Sequence, residues 1–248
     1  MTTFRDHFST TSAGYARFRP AYPSALFEWI AGESPGRARA WDCATGTGQA
    51  ARGLAAHFDL VVATDASRAQ LAEAASIPGV RYVRSAAEAS GLAAQSMDAI
   101  AVAQAVHWFD IPQFAAEAAR VGRPGALVAV WTYWTLQIEP EIDAVIDRFY
   151  KEVVGQYWPP QRRLIERQYR DLHLPFTPVA APAMAIDVDM DLGALAGYVG
   201  TWSATERYRA ARGEDPVPAL VAAVAPLWGD PALRRATRWP LAIRAGRI

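Results

Sequence analysis

The chain has 248 residues, with 25 Lys and Arg against 25 Asp and Glu, so its formal net charge is zero. A hydrophobic content of 52% excludes a disordered chain, and the lack of a cationic excess argues against nucleic acid or an anionic membrane as main partner. A single cysteine, Cys43, excludes an internal disulfide or a cysteine-cluster metal site, and no apolar run reaches the roughly 18 residues of a membrane span. The stretch 1–20 has no apolar block of a secretory signal, so the expectation is a cytoplasmic globular protein, monomeric or homodimeric, without a metal. Lys151 is the only lysine, so any cationic subsite must be built from arginine, whose planar fork suits carboxylates.

Taken in chain order, the first half alternates short apolar runs with helical patterns. Runs at 39–42, 60–64, 80–84, 99–103 and 126–131 have the unbroken character of strands buried on both faces. Helical spacing occupies 49–58, 69–76 and 111–121 between them. Strand–helix repetition of this kind predicts an α/β fold with a doubly wound, mostly parallel sheet. Beyond Trp131 the rhythm changes. A helix is expected over 139–154, with Pro140 in its first turn and Gly155 at its C-terminal cap, and a second over 162–172 after the Tyr157-Trp158-Pro159-Pro160 break. Alternation over 183–190 predicts a strand with one wet face. Helices follow at 192–198, 204–212 and 217–228, and a terminal strand at 239–244. The chain reads as one domain over 1–248. It comprises an N-terminal flap and helix (1–35), a cofactor-binding core (36–131), a helical insertion (132–182) between strands five and six, and C-terminal strands and helices (183–248).

The most informative stretch is Trp41-Asp42-Cys43-Ala44-Thr45-Gly46-Thr47-Gly48-Gln49. A strand that ends in a glycine turn and opens a helix points backbone N–H groups at a ligand. An acid, Asp65, follows the second strand 19 residues after Gly46, where a carboxylate accepts ribose hydroxyls. The competing role for Asp65 is a helix N-cap, but Ser67 with Gln70 forms its own capping box and leaves Asp65 to a ligand. By itself this pattern fits any nucleotide-like cofactor.

Further residues carry a resemblance. The loop 42–48 resembles the D-x-G-x-G-x-G loop of class I S-adenosylmethionine-dependent methyltransferases. Ser85-Ala86-Ala87-Glu88 after strand three, Gln104-Ala105-Val106-His107-Trp108-Phe109-Asp110 after strand four and Arg123-Pro124-Gly125-Ala126-Leu127 before strand five are similar to the same family. Segments 15–23 and 200–204 resemble its type 11, trans-aconitate methyltransferase-like subgroup. The resemblance implies a Rossmann-like sheet of seven strands with an antiparallel C-terminal strand. It implies S-adenosyl-L-methionine as cofactor and methyl transfer to a small-molecule acceptor, a carboxylate being one form. Gly46 and Gly48 would approach the methionine part and Asp42 its amino group. Asp65 and Ala66 would meet the ribose, and Gln70, Ala86, Ala87 and Glu88 would border the adenine. Gln104 and Ala105 would lie at the tip of strand four. Ala44 replaces the family's first glycine, and its methyl group implies an ordinary φ there.

Other residues have two readings. Tyr15, Arg19 and Tyr22 form either a flap over the cofactor or an aromatic packing strip. His107 and Trp108 line the acceptor pocket, and His107 is a weak candidate for a base. Trp158, Tyr169, Trp202 and Tyr208 build the insertion's core, with Trp158 and Trp202 as pocket walls. Glu206 completes a capping box begun by Ser203, and Arg162, Arg163, Arg207 and Arg209 are solvated, with one or two able to meet an anionic acceptor. Two other functions fit the same loop: an NAD(P)-dependent oxidoreductase, through Gly46-x-Gly48-x-x-Ala51 and Asp65, and a non-catalytic cofactor-binding module.

Overall fold

A computed structural model describes residues 18–248. Tyr15 lies outside the described residues. Helix α1 (Ser24–Glu33) precedes the alternating half: β1 (Arg39–Cys43), α2 (Gln49–Leu54), β2 (Leu60–Asp65), α3 (Arg68–Ala72), β3 (Val80–Arg84), β4 (Met97–Ala103), α4 (Ile111–Val121) and β5 (Gly122–Tyr133). The second half runs α5 (Pro140–Arg148), α6 (Arg162–Glu166), β6 (Thr177–Val179), β7 (Ala185–Met190), α7 (Leu192–Gly200), α8 (Ser203–Arg212), α9 (Val217–Trp228) and β8 (Arg235–Arg247).

The main sheet has the order β3-β2-β1-β4-β5-β8-β6, with β1 to β5 parallel and β8 antiparallel to both its neighbours. This is the expected curled seven-stranded class I sheet. The order reverses between β1 and β4, and in open α/β sheets the ligand crevice opens at such a point, beyond the carboxyl ends of the strands. Register brings those ends level: Cys43 pairs with Thr64, Thr64 with Val83, Asp42 with Ala101 and Ala103 with Trp131.

The strands are apolar on both sides because each side has its own core. Ala40, Leu127, Ala129 and Trp131 pack with Leu26, Phe27 and Ile30 of α1 and Leu54 of α2 on one face. Trp41, Val128 and Val130 pack with Phe114, Ile165 and Tyr169 on the other. Residues adjacent in sequence thus enter opposite cores, as the period of two requires.

A third core belongs to a helical cap made of two chain segments. Ile142, Ile146, Phe149 and Tyr150 from the first meet Leu195, Tyr198, Trp202, Val224 and Trp228 from the second. Strand β8 joins cap to sheet. Its first half pairs with β7 and its second half with β5, and the indole of Trp239, fully buried, donates to Tyr198 Oη at 3.0 Å.

Several expectations from periodicity change here. The stretch 132–182 is not wholly helical, since β6 lies inside it. The helix expected over 162–172 ends at Glu166, because Gln168 and Tyr169 both take φ of +53°, which stops a right-handed helix. The helix at 139–154 passes from α-helix into a π-turn at Phe149–Val153, and Val154 rather than Gly155 ends it. Helices α2 and α3 are also shorter than their patterns.

Where α1 meets α2, a glycine sets the approach. A Cβ on Gly53 would lie 2.1 Å from the Phe27 ring, which is buried and cannot swing away. Gly53→Ala should therefore lower stability by about 1–3 kcal/mol through overpacking, read as a lower urea midpoint with an unchanged slope.

Candidate active site

The tip of β1 carries the loop. Asp42 is fully buried, and its Oδ2 accepts from Thr45 Oγ1 at 2.5 Å, while Oδ1 is buried with no hydrogen-bond partner. Burial pushes the Asp42 carboxyl up to about 7, hydrogen bonds from the Thr45 hydroxyl and the Ala51 backbone oppose this, and the nearby Asp65 charge adds to it. The loop then turns through three left-handed residues: Ala44 at φ +57°, Gly46 at +57° and Gly48 at +88°. Glycine suits the last two. A Cβ on Gly48 would also strike Tyr82 Oη at 2.3 Å. The expectation of an ordinary φ at Ala44 is overturned. The surrounding turn imposes the left-handed form, at a cost on the order of 1–2 kcal/mol for an alanine.

The tip of β2 closes on this loop. Asp65 Oδ2 accepts from Gly46 N and Oδ1 from Ser67 N, both at 2.8 Å. Ser67 caps α3 as expected, its Oγ accepting from Gln70 N at 3.3 Å. Asp65 is therefore not left aside by that cap; it ties loop to helix. Ala66 follows Asp65, half-buried.

The segment after β3 presents Ala86, exposed, and Ala87, buried. Glu88 does not face a ligand alone: its Oε1 accepts from Asp110 N at 3.0 Å, linking this segment to the one after β4. Ser85 Oγ, to which no role was assigned beyond its place in this segment, is buried without a partner.

At the tip of β4, Gln104 has φ +55°, and its amide is held at both ends. Thr132 Oγ1 donates to its Oε1 at 2.5 Å, and its Nε2 donates to the Tyr133 carbonyl at 3.2 Å. Ala105, buried, starts a short turn over Val106–Trp108. His107 is buried, with Nδ1 3.0 Å from Tyr169 Oη. Burial, reinforced by the Arg162 charge, lowers it to about 3. A neutral imidazole of such low basicity is poorly suited to take a proton, which weakens its candidacy as a base.

Between these tips and the helical cap lies a cavity of about 90 Å³. Gln70 and Gln104 border it on the loop side, with His107, Trp108, Trp158 and Trp202 on its walls. Gln70 thus faces this cavity as well as the loop, its Oε1 3.6 Å from where a Gly46 Cβ would be. Arg19 also lines it, donating to Tyr133 Oη at 3.2 Å and lying over the Tyr198 ring. Tyr22 joins the packing strip instead, edge-on to Trp131 and Phe27.

Two lining residues overturn their sequence roles. Arg162 is half-buried rather than a solvated surface residue: its guanidinium lies 4.3 Å from the centre of the Trp158 ring, and its Nε donates to Tyr150 Oη at 2.9 Å. No carboxylate among the described residues lies within ion-pair distance of it. Glu206 does not complete a capping box, because α8 begins one residue earlier than that box requires. Trp202 is its N-cap, without a side-chain bond, and the Glu206 side chain faces the cavity. By contrast Arg163 is exposed, and Arg209 is paired with Asp215.

The loop fits a nucleoside carrying an amino-acid tail. The buried Asp42 Oδ1 suits an ammonium group, the glycine turn brings backbone close, and the Asp65 carboxylate stands beside both. No group of three or more His, Cys, Asp and Glu among the described residues is placed to hold a metal, and no helix among them is long and apolar enough to cross a membrane.

Asp42 gives a pH test. Its folded pKa lies above the ordinary value of 3.8, so its contribution favours the fold below about pH 4 and is lost as the pH rises through about 7. Asp42→Asn should remove that loss. In ligand-free protein the difference in Tm, variant minus wild type, should grow from pH 4 to pH 7 and then level off, with at most about 1.4 kcal/mol gained per pH unit.

The comparisons agree with this geometry. Residues 41–130 match the family model described as a methyltransferase domain. A protein of Dictyostelium discoideum named as a methyltransferase is 33% identical over 223 residues, covering 88% of this chain and 85% of its own. A solved structure from Anaeromyxobacter dehalogenans, titled as a type II methyltransferase, is 44% identical and superposes with a TM-score of 0.87 over 92% of this chain and 97% of that one. A Saccharomyces cerevisiae protein named for S-adenosylmethionine-dependent methyl transfer is 26% identical over 64% of this chain and 59% of its own. These findings set aside the oxidoreductase and the binding-only readings. The chain belongs to the methyltransferase family and is an S-adenosylmethionine-dependent enzyme of the class I fold.

Proposed function

We propose that this methyltransferase acts on a small organic acid held between the glycine loop and the helical cap. The observation that carries the proposal is Arg162, a cation half-buried among aromatic rings that has no acidic partner among the described residues. A half-buried charge with that surrounding favours an anionic ligand, and a guanidinium binds a carboxylate through paired hydrogen bonds. Arg19, on the same cavity, strengthens the positive field. The resemblance to the trans-aconitate methyltransferase-like subgroup supports the same reading.

On this proposal Asp42, Ala44, Gly46 and Gly48 hold the methionine part of the cofactor, and Asp65 and Ala66 the ribose. Ala86, Ala87 and Glu88 border the adenine. Gln70, Gln104 and Ala105 stand between cofactor and acceptor. Arg19 borders the cofactor from the N-terminal segment, in which Tyr15 is a further candidate contact. His107, Trp108, Trp158 and Trp202 wall the acceptor pocket. Bound there, S-adenosylmethionine supplies a methyl group activated by a sulfonium. The chain's own work is alignment and exclusion of water: the strand tips fix one reactant, Arg162 the other, and the indoles keep solvent from both. Alignment of this kind contributes up to roughly 7–11 kcal/mol in favourable cases. A carboxylate acceptor is already ionised and asks for no base, in keeping with the low basicity of His107.

The test is transfer of isotope from methyl-labelled cofactor across a panel of small acids and matched neutral analogues, with label expected in the acids. Label confined to the neutral analogues overturns the proposal. Asp65→Asn should weaken binding of S-adenosylhomocysteine by about 10-fold or more in calorimetry, through loss of a charge-assisted hydrogen bond. Arg162→Met should leave that binding unchanged and raise the acceptor KM by a similar factor.

A further inference from the structure

Two polar atoms on the walls of the cavity are used by nothing in the fold. Glu206 Oε1 is buried without a hydrogen-bond partner among the described residues, and so is Trp134 Nε1. One is an acceptor and the other a donor, yet they do not bond to each other. A buried polar group left unpaired destabilises the fold, and native structures leave few of them. Glu206 has no structural duty to justify its place, since the helix it opens is capped by Trp202 without it. Trp134 stands at the Arg162 end of the cavity, where its carbonyl is 3.5 Å from Arg162 Nη2.

From these atoms we infer that the acceptor is a bifunctional acid: its carboxylate meets Arg162 and Trp134 Nε1, and a hydroxyl or amine on the same molecule donates to Glu206. Glu206 is then a specificity-determining residue. A simple acid leaves its carboxylate buried and unpaired, and sites built to bond a substrate hydroxyl reject analogues that lack it. The inference rests on the acid reading above for one end of the ligand only; the Glu206 end has its own observation.

The experiment uses the full chain saturated with S-adenosylhomocysteine and three probes: benzoate, 3-hydroxybenzoate and phenol. Calorimetry should give 3-hydroxybenzoate about ten-fold tighter binding than benzoate, the ratio expected for one charge-assisted hydrogen bond. In Glu206→Gln that ratio should shrink, and in Glu206→Leu it should vanish, with S-adenosylhomocysteine affinity retained in both. Ligand-free Glu206→Gln should keep the melting temperature of wild type, whereas loss of a structural carboxylate would lower it. Equal binding of benzoate and 3-hydroxybenzoate to wild type, or a hydroxyl gain that survives in Glu206→Leu, overturns the role of Glu206. If 3-hydroxybenzoate binds no tighter than phenol, the acid reading falls while Glu206 stands. Failure of all three probes to bind overturns both.

Discussion

The site is organised around a carboxylate that the fold has removed from water. Asp42 lies at the end of β1 with no exposure, its carboxylate met, among the described residues, only by the Thr45 hydroxyl and the Ala51 backbone N–H. Isolated buried charge is costly, and here the cost shows as a carboxyl held up to about 7. Its position follows from the sheet. The side chains before and after it, Trp41 and Cys43, both enter the core on one face of the sheet, so alternation turns Asp42 to the opposite face, toward the start of α2. A ligand ammonium at Oδ1 would offset the desolvation, so the ligand-free fold carries a deficit that binding removes. Anything that binds only the native state stabilises it by mass action. The same group therefore links stability to cofactor occupancy.

The bond from Gly46 N to Asp65 extends that arrangement to the neighbouring strand. It fastens the loop after β1 to the tip of β2, and Ser67 N fastens the same carboxylate to the start of α3. With Glu88 bridging the segments after β3 and β4, the strand tips form one hydrogen-bonded rim. A rim of backbone donors and carboxylates over a rigid sheet is a preorganised site, and ligand binding then requires little reordering.

Much of this was legible from sequence because it rests on local chemistry. Five apolar runs gave the parallel strands, since burial on both faces leaves no other composition. The Ser67 cap and the glycine turn were readable from residue type. What could not be read depended on neighbours distant in the chain. The φ of Ala44 is imposed by the turn that Thr45 and Asp65 close, against the preference of its own side chain. The early end of α6 comes from Gln168 and Tyr169 turning left-handed, with Tyr169 buried against His107, 62 residues away. Arg162 reads as surface on its own helix and becomes a pocket residue only because Trp158 and Tyr150 surround it. Glu206 was misread because the capping-box pattern holds whether the helix starts at 203 or at 204, and only the structure fixes the start.

Non-glycine residues in the left-handed region sharpen the distinction between scaffold and site. Ala44 and Gln104 follow the two strands between which the sheet order reverses, β1 and β4. Strain of this kind persists only where the surroundings over-determine it. At Gln104 they do so visibly: its amide is held through Oε1 by Thr132 and through Nε2 by the Tyr133 carbonyl, both on β5. The chain thus accepts unfavourable backbone at the two strand tips that flank the crevice and fixes it with bonds from the neighbouring strand. A helix or loop would relax such strain by moving; a buried parallel strand cannot. The conformations of Ala44 and Gln104 are therefore set by the strand ends they follow, and the geometry of the cavity that Gln104 borders follows from the register of the sheet.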